Sequence, residues 1–142
     1  MDADPSEARG SRIRRISTEA APTGTGAYSQ AIRAGDFVFI SGQGPLDPAR
    51  LDVVGSTIAE QTRSTLRNLE AIARAAGGSL RDAVKVGAFL SSIDLFGEFS
   101  QTYEEVLDWE PRPARTTVGA ELRDILVEID AVLYLPNPEA AG

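Results

Sequence analysis

The chain has 142 residues, a formal net charge of −7, and no histidine or cysteine. These values exclude the usual zinc sites, thiol nucleophiles and Ser-His-Asp triads, because each needs histidine or cysteine side chains. The acidic balance disfavours a nucleic-acid partner, since gripping a phosphate backbone requires a basic face. Acid–base chemistry must therefore come from carboxylates, tyrosines, water or the backbone, with arginine as the fixed positive charge.

One domain is expected from this length, and 42% hydrophobic residues are enough for a buried core. We place the folded domain at residues 12–135. Residues 1–11 are predicted to be a disordered leader, and residues 136–142 a flexible C-terminal tail. Neither a signal peptide nor an apolar run near 18 residues is visible, so we expect a soluble cytoplasmic protein with no membrane partner.

The first predicted elements are a short strand at 12–17 and a hairpin that turns at Ala34-Gly35-Asp36. A helix is then expected to begin at Thr57, which forms a capping-box pattern with Glu60. Apolar residues recur along this helix at helical spacing, and Gly77-Gly78 is a typical end signal.

A strand follows at 83–92, and its residues are apolar on both alternating parities. A second helix is predicted to start near Asp94 and to end at the sequence DWEPRP. The last two strands are expected at about 114–121 and 125–135. The order ββ–α–β–α–ββ predicts an α+β sheet with both helices on one face.

Two helices can cover only one face of this sheet, yet several strands are apolar on both faces. The second face is therefore expected to pack on another subunit of a homo-oligomer. The alternative is that loops cover it.

Two charged residues stand out in the last two strands. Because apolar residues of the other parity are expected to face the helices, Arg115 and Glu128 are predicted to share the opposite face. A direct hairpin would make them cross-strand neighbours and leave a very short turn around Glu121 and Leu122, a register that the sequence does not select. The pair could bind an anion and handle a proton, but spacing alone favours an ordinary cross-strand salt bridge.

Four motifs occur together in this chain: GAYSQA at 26–31, SGQGPLDP at 41–48, RPARTTV at 112–118 and VEIDA at 127–131. In this order they resemble the RidA family, also called YjgF, over roughly residues 13–135. The resemblance implies a chorismate-mutase-like (YjgF-like) fold, a mixed β-sheet with two helices on one face. It also implies a homotrimer with a central barrel-like core and active sites between subunits.

The activity implied by the resemblance is the hydrolysis of enamines and imines, such as 2-aminoacrylate and 2-imino acids, to 2-oxo acids and ammonia. Such enzymes are deaminases that need no metal and no organic cofactor. One alternative is a non-catalytic trimer that binds a small carboxylate metabolite and regulates a partner. A ribonuclease or translation inhibitor is a third reading, which the acidic charge and the absence of histidine disfavour.

The resemblance also assigns roles to individual residues. Arg115 matches the family arginine that binds the substrate carboxylate, and Glu128 matches the glutamate that positions water and assists proton transfer. Tyr28 and Ser41 match residues that line the pocket. Thr117 stands where backbone groups contact ligands.

The chain departs from the family pattern at three places. Ala27 replaces a common proline, and Ser100 stands where many members have asparagine, which puts a polar contact there in doubt. The connection at 121–125 is shorter than usual and is expected to alter the rim of the site and its substrate preference. The protonation state of Glu128 stays open, because a nearby arginine lowers a carboxyl pKa and burial raises it.

Overall fold

A computed structural model describes residues 12–24 and 26–136. The predicted leader at 1–11 and residues 137–142 of the predicted tail lie outside the described residues. Within the described part, the predicted order of elements is confirmed. The elements are β1 (Ile13–Ile16), β2 (Ala31–Ala34), β3 (Phe37–Gln43), α1 (Ile58–Ala75), β4 (Ala83–Leu90), α2 (Phe96–Val106), β5 (Ala114–Gly119) and β6 (Val127–Tyr134), with short 3₁₀ turns before β4 and α2.

Helix α1 begins and ends as its sequence predicts. The Thr57 hydroxyl accepts a hydrogen bond from the Glu60 N–H at 3.1 Å, and the Glu60 carboxylate accepts one from the Thr57 N–H at 3.2 Å. Gly77 has a φ of 96°, and the N–H groups of Gly77 and Gly78 donate to the last carbonyls of the helix. Among the described residues, we find no helix with the length and apolar content that a membrane crossing requires.

The six strands form one mixed sheet in the order β1-β2-β3-β6-β4-β5. Strand β4 pairs in parallel with β5 and antiparallel with β6, and all other neighbours are antiparallel. Helix α1 packs against β3 and β6, and α2 packs against α1. The predicted α+β architecture, with both helices on one face of a mixed sheet, is confirmed.

The last two strands do not form the direct hairpin that was considered from the sequence. Strand β4 lies between β5 and β6, so these strands do not form a hairpin and Arg115 and Glu128 are not cross-strand neighbours. Consecutive strands often pair, which is why a short connection suggests a hairpin. Here β4 lies between β5 and β6 instead, and α2 supplies the crossover that a parallel β4–β5 pair needs.

The core lies between the sheet and the helices. Alternate residues of the central strands are buried on this face, and the apolar stripes of both helices meet them. This set includes Val38, Ile40, Val86, Ala88, Leu90, Val127, Ile129, Ala131 and Leu133 from the sheet, and Leu66, Leu69, Ile72, Phe99 and Leu107 from the helices and the residue after α2.

The opposite sheet face, called the open face below, carries large apolar side chains that remain accessible. Phe39 is 49% exposed, and Phe37, Val118 and Tyr134 are exposed to a similar degree. The loops among the described residues therefore leave these side chains uncovered. Exposed apolar residues grouped on one face are typical of a surface that meets another protein chain.

Candidate functional site

Arg115 lies on β5 in a cradle formed by α2. Its guanidinium carbon is 4.7 Å from the ring centroid of Tyr103, 5.5 Å from that of Phe99 and 5.6 Å from that of Phe96. One terminal nitrogen donates a hydrogen bond to the Ser100 hydroxyl at 3.2 Å. Among the described residues no carboxylate pairs with it. The aromatic faces and the hydroxyl thus orient a half-buried cation whose remaining donors are unused.

The predicted face of Arg115 is wrong. Arg115 pairs with Val86 and Thr117 with Ala88, and both partners are buried against the helices, so Arg115 and Thr117 face the helices as well. Both sets of alternate positions on β5 carry small or polar residues, so the sequence pattern does not show which side of this edge strand faces the core. Ser100 does make a polar contact, although the sequence left this in doubt: its hydroxyl accepts the hydrogen bond from Arg115.

Thr117 lies two residues along β5 from Arg115. Its hydroxyl oxygen is buried, and it has no hydrogen-bond partner among the described residues. Tyr103, in the Arg115 cradle, likewise has a buried hydroxyl without a described partner. Burial raises the pKa of the Tyr103 hydroxyl, while Arg115 and Arg112 act in the opposite direction.

Glu128 lies on β6, and its neighbours show that its side chain points to the open face. A Cβ atom added to Gly42 would lie 2.9 Å from a Glu128 carboxylate oxygen, so only glycine leaves room for the carboxylate there. Burial raises the pKa of Glu128, and the nearby Asp130 carboxylate raises it further. Within one copy, Arg115 does not oppose this rise, because it lies on the other face of the sheet. Asp130 itself accepts a hydrogen bond from the Gly87 N–H at 3.0 Å.

Glu128 opens into a cavity of about 320 Å³, called the Glu128 cleft below. Tyr28, which is 56% exposed, forms one wall, and its ring lies against Gly24. The remaining lining comes from the loop before β2, the end of β3, the loop after β3 and the end of the 121–125 connection. These residues are Pro22, Thr23, Gly24, Gly42, Gln43, Gly44, Leu46, Leu51 and Ile125. Sequence motifs that are far apart in the chain therefore meet at one opening.

Ser41 does not line the cleft but supports it. Its hydroxyl donates to the Ser29 carbonyl at 2.6 Å, and its N–H donates to the Gln30 carbonyl at 2.9 Å. The register of the β3–β6 pair shifts between Ile40 and Gln43. This irregularity brings Gly42 against the Glu128 carboxylate while Ser41 ties β3 to the segment that carries Tyr28.

A larger cavity of about 490 Å³ lies beside α1. It is lined by side chains of α1, of the segment before β4 and of the end of α2 and the residues after it, including Arg63, Arg67, Arg74 and Arg81. None of the predicted site residues borders it. Tyr28 and Glu128 line the Glu128 cleft instead, and Arg115 lies in the Arg115 cradle.

The comparisons with known proteins agree with the motifs. The family model described as Endoribonuclease L-PSP matches residues 18–135. The chain belongs to this family, the RidA (YjgF) family. A RutC family protein of Pyrococcus horikoshii is 44% identical over 121 residues, which cover 84% of this chain and 95% of the relative.

Solved structures of the RidA family share the fold. The crystal structure of RidA from an Antarctic Psychrobacter bacterium has a TM-score of 0.79 and 35% identity, covering 86% of this chain and 99% of that one. The structure of E. coli TdcF with bound serine has a TM-score of 0.79 and 30% identity, covering 85% and 98%. Both likenesses span nearly the whole described domain.

Within one copy of this RidA family chain, the Arg115 cradle and the Glu128 cleft are separate. On neighbouring strands, Arg115 pairs with Val86, and Val86 pairs with Ala131. Glu128 lies three residues from Ala131 along β6. Two strand spacings and three residue rises put the Arg115 and Glu128 Cα atoms about 14 Å apart, on opposite sheet faces. A single copy therefore cannot bring both groups onto one small molecule.

Some residues that shape the Arg115 cradle and the Glu128 cleft were not anticipated from the sequence. Gln30 is buried, and its side chain bonds the Thr18 N–H and the carbonyls of Ala21 and Pro22, fixing the loop beside Tyr28. Phe96, Phe99 and Tyr103 of α2 hold the Arg115 guanidinium. The sequence alone could not reveal these contacts, because they depend on tertiary packing.

Proposed function

We propose that the protein is a deaminase that hydrolyses reactive enamines and imines, such as 2-aminoacrylate and 2-imino acids, to 2-oxo acids and ammonia. The observation that carries this proposal is the Arg115 guanidinium, which is held in an aromatic cradle and has no described carboxylate partner. A preoriented cation with unused donors suits a substrate carboxylate, which accepts two parallel hydrogen bonds from the guanidinium fork.

Membership of the RidA family supports the same reaction class. The structure of E. coli TdcF contains bound serine, which is a small amino acid with a carboxylate group. That neighbour supports the choice of a small carboxylate substrate for this chain. The acidic net charge favours a small-molecule partner over nucleic acid.

The active form is proposed to be a homotrimer with a barrel-like core made by the open faces. The exposed side chains of Phe37, Phe39, Val118 and Tyr134 support burial of this face against other copies. In the trimer, the Arg115 cradle of one copy meets the Glu128 cleft of the next. The separation of the two half-sites within one chain supports this arrangement, because neither half is complete alone.

The proposed chemistry needs only these side chains and water, without a metal or an organic cofactor. Arg115 holds the substrate carboxylate and so fixes the adjacent imine carbon. An enamine substrate first becomes the imine when its β-carbon gains a proton and its nitrogen loses one. Glu128 takes a proton from water as the water oxygen bonds to the imine carbon, and it delivers this proton to the nitrogen, which leaves one hydroxyl and one amino group on the carbon. Glu128 then moves the proton of the new hydroxyl group to the amino nitrogen, so that the carbon–oxygen double bond forms as the carbon–nitrogen bond breaks. Ammonia leaves, and the 2-oxo acid remains.

The experiment that tests this function couples the purified protein to an amino-acid oxidase that releases 2-imino acids. We expect the protein to accelerate imine decay and ammonia release by about tenfold or more over the uncatalysed reaction. Binding of 2-oxo acids without any acceleration over a broad imine panel would instead identify a metabolite-binding protein. A cytoplasmic location is part of the proposal and is tested by cell fractionation.

A further inference from the structure

The loop between β3 and α1 contains a backbone conformation that leucine rarely adopts. Leu51 has a φ of 63°, in the left-handed region that favours glycine. A branched apolar side chain gains nothing from this conformation, because its Cβ crowds the backbone. Such an outlier persists only when its surroundings impose it, and it is a reason to look for a function.

The surrounding loop fixes the backbone without using the leucine side chain. The Leu51 N–H donates to the Asp47 carbonyl at 2.8 Å, and the Asp47 carboxylate accepts the N–H groups of Ala49 and Arg50 at 2.9 Å each. The Asn68 side chain holds the start of the loop by donating to the carbonyls of Gly44 and Leu46. A glycine at position 51 could make every one of these backbone contacts.

Core burial does not explain the leucine either, because Leu51 is 37% exposed. Its side chain instead lines the Glu128 cleft, together with the apolar side chains of Leu46 and Ile125. Of the described residues that line this cleft, Glu128 alone is charged. Leu51 thus adds apolar bulk at the place where the proposed reaction occurs.

We propose that Leu51 is a specificity-determining residue that restricts the size of the substrate side chain in the Glu128 cleft. This inference rests on the proposed function and concerns the substrate that the same site accepts. The Leu51 side chain occupies space that a bulky substituent on the imine carbon would need. The cleft therefore favours imino acids with short, uncharged side chains over those with aromatic side chains.

The test replaces Leu51 by glycine and, separately, by alanine. Hydrolysis is compared for the imino acids generated from alanine and from phenylalanine, and the ratio of their kcat/KM values is measured. We expect Leu51→Gly to raise the phenylalanine-to-alanine ratio by about fivefold or more, because removal of a pocket side chain changes discrimination by roughly this amount. Leu51→Ala should give a smaller increase. The melting temperature of Leu51→Gly should not fall, because glycine relieves the positive φ.

Asp52→Gly is the matched control, since Asp52 is the exposed neighbour of Leu51 in the same loop and its side chain does not line the cleft. We expect this variant to leave the substrate ratio within about twofold of the wild-type ratio. An unchanged ratio in active Leu51→Gly, an equal shift in Asp52→Gly, or unfolding of Leu51→Gly would each overturn the role of Leu51. A wild-type protein that hydrolyses no imine refutes the proposed function itself, and this inference with it.

Discussion

Replacing Arg115 by alanine should lower kcat/KM for imine hydrolysis by about 100-fold or more, because the substrate loses both its charge-assisted hydrogen bonds and its orientation. The fold should survive. Arg115 lies on the edge strand β5, and the structure shows no described carboxylate that its removal would leave unpaired. The measurement is kcat/KM with an oxidase-generated imino acid, together with the melting temperature of each variant.

Two further variants make this result specific. Arg115→Lys keeps the positive charge but loses the planar fork, so we expect activity between those of the wild type and Arg115→Ala. Arg67→Ala removes an exposed arginine from α1, away from both half-sites, and should leave kcat/KM unchanged. Wild-type activity in a folded Arg115→Ala protein would remove the carboxylate anchor from the proposed mechanism.

Replacing Glu128 by glutamine should lower kcat/KM by about 10²- to 10⁴-fold, the range expected when a general acid–base group is lost. Glutamine preserves the shape of the side chain beside Gly42 but cannot exchange a proton. Stability at neutral pH should be unchanged or higher, because burial and Asp130 disfavour the ionised form of Glu128. Glu104→Gln, an exposed change on α2, is the matched control and should retain activity.

The raised pKa of Glu128 also fixes the direction of two pH dependences. Between its unfolded-state pKa and the higher pKa in the fold, the folded protein holds more protons, so the Glu128 contribution to stability falls as pH rises through this window. The value of kcat/KM should rise over the same window, because water activation needs the ionised carboxylate. Glu128→Gln should show neither change. A wild-type kcat/KM that falls as pH rises through this window would assign the essential form to the protonated acid instead.

Most secondary structure could be predicted from local signals. The capping box at Thr57 and Glu60 and the glycine pair after α1 define a helix through contacts within a few residues, so the sequence contains the necessary information. The strand order could not be read this way. Strand β4 lies between β5 and β6, and this order is a property of the whole sheet rather than of any one segment.

The residues of the proposed site come from motif resemblance, and their arrangement in space could not be predicted from the sequence. Motif resemblance pointed to Tyr28, Arg115 and Glu128, whereas alternation placed the two charged residues together on one face. The structure places them on opposite faces. The prediction failed because small and polar residues occupy both alternating sets of positions on β5, so the sequence of this edge strand does not show which set faces the core. The resemblance to a family with sites between subunits is the one sequence-based argument that fits this separation.

The most direct test of the two-copy site mixes the two inactive variants. Arg115→Ala and Glu128→Gln chains are co-expressed with different tags, and mixed trimers are purified through both tags. If each site takes Arg115 from one copy and Glu128 from its neighbour, the mixed trimers should have about a third of the wild-type activity, because one of the three interfaces in every mixed trimer then has both intact residues. Mixed trimers as inactive as either parent would contradict the account, because they would mean that both groups must come from the same chain.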